Sequence, residues 1–201
     1  GVREDGSLYD YFRDRLMFPI ADAQGRTIGF GGRVLGEGEP KYLNTRETPL
    51  FVKSRAIYGL AQARDAIREA RAAVLVEGYT DVIMCHQHGF KNVVAALGTA
   101  ITADHARALR RLADEVCVLT DSDEAGARAC ERALEIFFQE ELPTRVVRLP
   151  GTAKDPCEFL LGPGAQAFGE ALKSGMPMFE YKFQCVVERN DLRTAQGQAA
   201  A

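Results

Sequence analysis

The sequence lacks what would mark a secreted, membrane-spanning or strongly charged protein. Its longest apolar runs, such as Val93 to Leu97 and Val116 to Leu119, stop far short of the ~18–20 residues that a membrane span needs. No cationic leader followed by an apolar stretch opens the chain, so nothing points to secretion. Cys85, Cys117, Cys130, Cys157 and Cys185 form no Cys-x-x-Cys pair and are odd in number. That argues against a disulfide framework and against a cysteine-built zinc site. The cysteines are expected as small core residues in a reducing compartment. An excess of one charge is missing too: 25 basic and 28 acidic residues leave a net −3. Bulk charge therefore does not announce a nucleic-acid protein, although a local patch on such a chain still holds phosphates. These absences point to a soluble cytoplasmic protein with no membrane partner. A chain that opens on Gly1 without Met and closes on Ala-rich sequence is expected to be a fragment of a longer one.

What is present is ordinary globular material: 201 residues, 46% hydrophobic, with 19 Gly and 8 Pro. That is enough for one large or two small domains, at roughly 100–200 residues per domain. Three zones are legible. Residues 1–59 are rich in Gly, Arg and aromatics, with a strand, Gly-turn, strand pattern through Phe18-Pro19-Ile20, Gly25 and Thr27-Ile28-Gly29-Phe30, and a short extended piece at Lys41-Tyr42-Leu43-Asn44. They are expected to form a small α+β unit. Residues 60–158 change period. Apolar runs at Ala73–Val76, Val93–Leu97, Glu115–Thr120 and Arg145–Leu149 alternate with helical stretches, one closed by Gly89 and one capped by Thr102. Alternation of this kind is the signature of βαβ units on a parallel sheet. Residues 159–201 look helical, over Ala165–Lys173 and Met178–Glu188, with a frayed end from Thr194.

In open parallel sheets ligands bind at the carboxyl ends of the strands. Here the first run ends at Glu77, with Asp81 one helical turn on; the third ends at Asp121, with Asp123 two residues on; Asp155 stands after the fourth. Carboxylates converging on one rim repel each other unless a cation sits among them, and oxygen donors with phosphates are what Mg²⁺ accepts. The pattern suggests a Mg²⁺ (or Mn²⁺) site for phosphoryl or nucleotidyl transfer. Each acid also has a plainer reading: Asp121, Asp123 or Asp155 as a helix N-cap, Glu77 as a solvated loop residue.

Three segments in series, Glu77-Gly78-Tyr79-Thr80-Asp81-Val82, Leu97-Gly98-Thr99-Ala100 and Asp121-Ser122-Asp123-Glu124-Ala125-Gly126, resemble the motifs of the TOPRIM domain, and in particular those of DnaG-type primases. Upstream, Arg13-Asp14-Arg15-Leu16-Met17-Phe18-Pro19-Ile20, Gly29-Phe30-Gly31-Gly32-Arg33-Val34, Pro40-Lys41-Tyr42-Leu43-Asn44 and Leu50-Phe51-Val52-Lys53 are similar to the basic N-terminal part of the primase catalytic core. The resemblance spans about residues 8–160. It implies a TOPRIM (Rossmann-like) parallel sheet flanked by helices (residues 69–158), preceded by a small basic α+β subdomain (1–68) and followed by a helical segment (159–201). It also implies synthesis of short RNA primers on a single-stranded DNA template from ribonucleoside triphosphates. By position, Glu77, Asp121 and Asp123 would be catalytic and metal-binding, with Asp81 and Asp155 in the same cluster and two ions expected. Arg33, Lys41 and Lys53 would hold template or nucleotide phosphates, joined by Asn44 and Tyr58. Coupling to a replicative helicase would run through a domain that this chain lacks, and a monomer is expected.

The residues support the basic surface weakly: residues 1–65 carry a net +1 and the remainder a net −4. Arg33 follows a Gly-rich stretch, which would let backbone approach a ligand closely. Three departures from the family pattern stand out. Thr80 replaces an apolar residue, Ser122 replaces a Gly, and Cys157 occupies an expected acidic position with Glu158 next to it. The cluster would then lose a carboxylate or shift it by one place. His86 and His88 read as surface or helix-end residues, and Phe137, Phe138, Phe179 and Phe183 as core and interhelix contacts. Competing readings are a topoisomerase or nuclease of the TOPRIM type, a phosphorelay receiver, an Asp-x-Asp phosphatase, and an inactive DNA-binding remnant. The receiver and phosphatase need acid pairings or neighbours that this sequence lacks.

Overall fold

A computed structural model of the chain describes residues 1–98, 100–119 and 124–189, the side chains of 124, 125, 188 and 189 excepted. It divides into a three-stranded antiparallel sheet and a five-stranded, mostly parallel one. β1 (Arg15–Ala21) and β2 (Thr27–Val34) form a hairpin, and β3 (Tyr42–Asn44) pairs with the far edge of β2. The hairpin turn is made by Asp22, whose Oδ1 accepts from the Gln24 and Arg26 amides at 2.9 and 3.0 Å, and by Gly25 at φ +84°. A short polar side chain that bonds two residues ahead and a glycine in the left-handed region are what such a turn requires.

The second unit alternates strand and helix. Helix α1 (Leu60–Ala70) leads into β4 (Ala72–Val76), α2 (Tyr79–Gln87), β5 (Val93–Ala95), α3 (Ala103–Arg110), β6 (Glu115–Leu119), α4 (Glu124–Gln139) and β7 (Thr144–Val147). Then follow α5 (Pro156–Leu161), α6 (Gly164–Lys173), β8 (Met176–Pro177) and α7 (Met178–Arg189). The strand order is β5-β4-β6-β7-β8, parallel except for β8 at the edge. Alternate strand residues face opposite layers. Leu75, Val116, Val118 and Val146 pack under α1, α3, α4 and α7; Val74, Val76, Cys117, Leu119 and Val147 pack under α2, α5 and α6. Coverage on both faces explains why these strands read as unbroken apolar runs.

Among the described residues no helix precedes α1, so residues 1–59 contribute strands and turns. Helix α1 follows them directly, and its Leu60, Ala63 and Ile67 are buried in the parallel-sheet core. A third apolar cluster (Phe18, Ile20, Phe51, Ala56, Tyr79 and Leu97) seals the seam between the two units, each fully buried Phe or Ile contributing roughly 1.5–3 kcal/mol. Tyr58 exchanges both backbone hydrogen bonds with Ala95, at 2.8 and 3.1 Å, and covers the open edge of β5.

The expected caps are in place. Thr102 Oγ1 accepts from the His105 amide at 3.3 Å, and Gly89 follows α2 at φ +94°. Helix α2 starts at Tyr79, where the extended backbone of Gly78 caps it. Strand β8 escapes a sequence reading, since two residues show no period. All five cysteines are free and four are buried. The aromatics of α4 and α7 mostly behave as expected: Phe137 is fully buried, and Phe138 meets Phe179 edge-on between the two helices with ring centroids 5.6 Å apart. Phe183, 68% exposed, does not join the core. No helix of the described residues is long and apolar enough to cross a membrane.

Candidate functional site

Glu77 is the first residue beyond β4, and Gly78 then caps α2 with its backbone extended, placing Asp81 in the first turn. The Gly78 amide donates to Asp81 Oδ2 at 3.1 Å. A Cβ at residue 78 would sit 3.0 Å from that same oxygen, so glycine lets the carboxylate lie flat on the strand end. From the opposite side α5 packs on α2. Asp155 caps α5, its Oδ1 accepting from the Glu158 amide at 2.7 Å, and the Cys157 amide donates to the Asp81 carboxylate.

Asp81 is 6% exposed, and its carboxyl is pushed up to about 6. Burial is the largest cause, followed by the Asp155 charge; the Gly78 and Cys157 amides pull the other way, and the Glu77 charge adds a smaller push upward. The Cys157 thiol is raised by burial and by Asp155 and Asp81, while the Arg33 guanidinium pulls it down. Asp81 is therefore buried beside two further carboxylates, Asp155 and Glu77, an arrangement whose ionised form a divalent cation relieves. They line one cleft of about 380 Å³, with Lys41 and Asn44 on the wall contributed by the antiparallel unit. Arg33 and Lys41 flank the Tyr42 ring, 5.6 and 6.0 Å from its centroid.

Not every expected site residue gathers there. Asp121 and Asp123 lie outside the described residues. Strand β6, which precedes them, pairs in parallel with β4 (Leu75 opposite Val118), so the two strands end at the same edge of the sheet. Among the described residues no three His, Cys, Asp or Glu side chains stand close enough to hold a metal ion. Lys53 does not line the cleft; its amide donates to Glu47 Oε1 at 3.1 Å and its carbonyl faces His105 Nε2 at 3.2 Å. Asn44 lines the cleft with its side chain already engaged: the Tyr79 hydroxyl donates to its Oδ1, and its Nδ2 donates to the Leu97 carbonyl at 3.1 Å. Glu158 does not replace the acid missing at 157. It is exposed, and its Oε2 accepts from the Lys154 amide at 2.9 Å.

The glycines before Arg33 serve the protein itself and not a ligand. A Cβ at Gly31 would fall 2.5 Å from the Tyr79 ring, one at Gly29 3.2 Å from Phe51, and one at Gly32 2.9 Å from Phe12. His105, with no role assigned from sequence, is fully buried, where it completes the α3 cap and reaches the Lys53 carbonyl. Its signal was the Thr102-x-x-His105 spacing of a capping box.

A doubly wound sheet with acids at its carboxyl edge, facing an antiparallel unit that carries Arg33 and Lys41, defines a Toprim-like protein. Comparison with known proteins narrows this. The profile of the DNA primase catalytic core, N-terminal domain, matches residues 2–64, and the Toprim-like profile matches residues 74–160. The DNA primase of Deinococcus radiodurans is 43% identical over 196 residues, covering 97% of this chain and 34% of that protein. Among solved structures, a DNA primase domain from Pseudomonas aeruginosa superposes with a TM-score of 0.91 at 41% identity, covering all of this chain and 64% of the other. A DnaG primase catalytic domain bound to single-stranded DNA gives 0.88 at 40% identity, covering all of this chain and 65% of the other. The chain belongs to the DnaG-type DNA primase family, as part of the catalytic core. It spans about a third of the length of the curated relatives it matches. The match upstream of the Toprim region disfavours a topoisomerase or nuclease of the same fold.

Proposed function

We propose that this chain is the nucleotidyl-transferring part of a DNA primase, making short RNA primers from ribonucleoside triphosphates on single-stranded DNA. The observation that carries the reading is the cleft in which burial and the neighbouring Asp155 and Glu77 charges raise the proton affinity of Asp81 while Lys41 forms the opposite wall. Hard carboxylate oxygens, crowded and desolvated, suit Mg²⁺ or Mn²⁺. Glu77, Asp81 and Asp155, with Asp121 and Asp123, would hold the cation, with two ions expected. When bound, it supplies neutralisation of the triphosphate charge and polarisation of the attacking hydroxyl. The chain's own residues do the remainder. Lys41 and Arg33 face the phosphates from the antiparallel unit and fix the strand or nucleotide without reading sequence, and Lys53 extends that surface outside the cleft. The buried Asp81, held by two amides, keeps the acidic side of the cleft rigid. In this proposal residues 1–68, 69–158 and 159–201 serve as the basic, acidic and supporting parts.

The test is RNA synthesis on a single-stranded template with Mn²⁺, alongside binding of Mn²⁺ by paramagnetic resonance. Glu77→Gln and Asp121→Ala are expected to lower synthesis by on the order of 10²–10³ and to weaken Mn²⁺ binding, while single-stranded DNA is still retained. Equal synthesis by either variant overturns the metal role.

A further inference from the structure

Asn44 stands in the cleft among groups expected to bind phosphates, yet both ends of its amide are used inside the protein. Oδ1 accepts from the Tyr79 hydroxyl, and Nδ2 donates to the Leu97 carbonyl at 3.1 Å. Three elements meet at this one side chain. Asn44 ends β3, whose neighbours Lys41 and Tyr42 carry the basic edge. Tyr79 opens α2, directly after Glu77-Gly78 and one short step before Asp81. Leu97 ends the segment after β5 and precedes Gly98, a cleft residue.

The surroundings fix this junction from every side. The Tyr79 ring stacks on Phe18 with centroids 5.1 Å apart and planes within 2° of parallel. Tyr58 meets it edge-on at 4.7 Å, and the ring fills the space left by the missing Cβ of Gly31. Burial drives the Tyr79 hydroxyl's pKa upward, so it stays protonated and remains a donor. Leu97 is 3% exposed and holds φ +30°, a left-handed conformation that a branched side chain adopts only under external constraint. The bond from Asn44 is such a constraint.

We infer that Asn44 and Tyr79 are positioning residues: a brace that sets the spacing between the basic edge and the acidic rim, and with it the seat of a metal-bound nucleoside triphosphate. This rests on the nucleotide-transfer reading above and assigns Asn44 to the frame and not to the strand. The brace holds the two walls relative to each other and leaves each wall's own chemistry intact. Its loss should therefore show only with a ligand that touches both walls at once.

Two titrations separate the cases, run on the full chain and on Tyr79→Phe, Asn44→Ala and the double variant: Mn²⁺ alone, and Mn²⁺ with a non-hydrolysable ribonucleoside triphosphate. Tyr79→Phe keeps the ring, its stacking and its fit against Gly31, and thermal midpoints confirm folding. Affinity for Mn²⁺ alone is expected to stay within twofold. Affinity for the Mn²⁺–triphosphate complex is expected to fall about tenfold, the order seen when a partner that orients a ligand-binding group is removed. The double variant should be no worse than Asn44→Ala, which already removes both the Tyr79 bond and the Leu97 bond. Hydrogen exchange at residues 95–98 should quicken in Asn44→Ala and in the double variant, which lose the bond to the Leu97 carbonyl. Unchanged triphosphate affinity in Tyr79→Phe overturns the brace, as does a loss confined to Asn44→Ala, which would mark Asn44 as a direct ligand. Absence of triphosphate binding in the unaltered chain overturns the nucleotide-transfer reading itself, and with it the brace.

Discussion

Replacing Asp81 by Asn is expected to stabilise the chain when divalent cations are absent and to disable it when they are present. The reasoning starts from the carboxyl raised from 3.8 to about 6. A carboxyl that holds its proton more tightly folded than unfolded favours the native state at low pH. That advantage disappears as pH rises from the unfolded value of 3.8 through the folded value of about 6. Two units at 1.36 kcal/mol each put the penalty of the ionised form near 3 kcal/mol above pH 7. Asparagine removes the charge but accepts through one oxygen only, so one of the Gly78 and Cys157 amides loses its acceptor, at about 1 kcal/mol. The net gain is about 1–2 kcal/mol at pH 8, which for a domain of this size is a rise in Tm of roughly 2–8 °C. At pH 5 about half of that penalty is already present, because the unfolded carboxyl ionises from 3.8, so the gain should fall below about 1 kcal/mol there and vanish as pH approaches 4. Calorimetry in chelator at the two pH values measures this. Added Mn²⁺ should then raise the wild-type Tm by mass action and leave the variant where it was. A variant no more stable than wild type at pH 8 in chelator would refute the account of a carboxylate destabilised by burial and by the Asp155 charge.

Two further outcomes follow from the same geometry. Gly31→Ala drives a Cβ to 2.5 Å from the Tyr79 ring, and overpacking of this kind is expected to cost about 1–3 kcal/mol in urea denaturation; a neutral result would show that the ring has room to move. Burial lowers the His105 pKa from 6.5, against the Lys53 and Ala56 carbonyls and the Asp104 charge, so the unfolded chain binds the proton more readily. Stability should therefore fall as pH drops below about 6.5, by at most about 1.4 kcal/mol per pH unit. Subtracting the curve of His105→Asn isolates this slope from the opposite one of Asp81, and identical curves would count against it.

Much of the architecture was legible because buried parallel strands must be apolar on both faces. The runs at Ala73–Val76, Val93–Leu97 and Glu115–Thr120 became β4, β5 and β6 with small changes at their ends. Helix termini were legible where their chemistry is local, as at Thr102 and Gly89. The gathering of Glu77, Asp81 and Asp155 could be expected from strand-end position alone. Less legible was anything decided by a partner distant in sequence. The Gly29–Gly32 stretch looked like room for a ligand, and only the fold shows Phe51, Tyr79 and Phe12 filling it. Asn44 looked like part of the phosphate-holding surface, and only the fold bonds it to Tyr79, 35 positions away. Phe183 looked like a buried contact but is 68% exposed, because hydrophobicity alone does not say which face of a helix meets the sheet.

The linear order of residues thus determined the alternation of strand and helix, the caps, and the carriage of acids to one sheet edge, since each depends on near neighbours and on the fixed hand of βαβ connections. Tertiary structure decided which of those groups are free to meet a ligand and which are spent on the frame. It did so by burying Asp81 between two amides while leaving Lys41 at the cleft wall, and by closing Asn44 between a tyrosine and a carbonyl. Burial and the satisfaction of polar groups are properties of the packed whole, and no local pattern carries them.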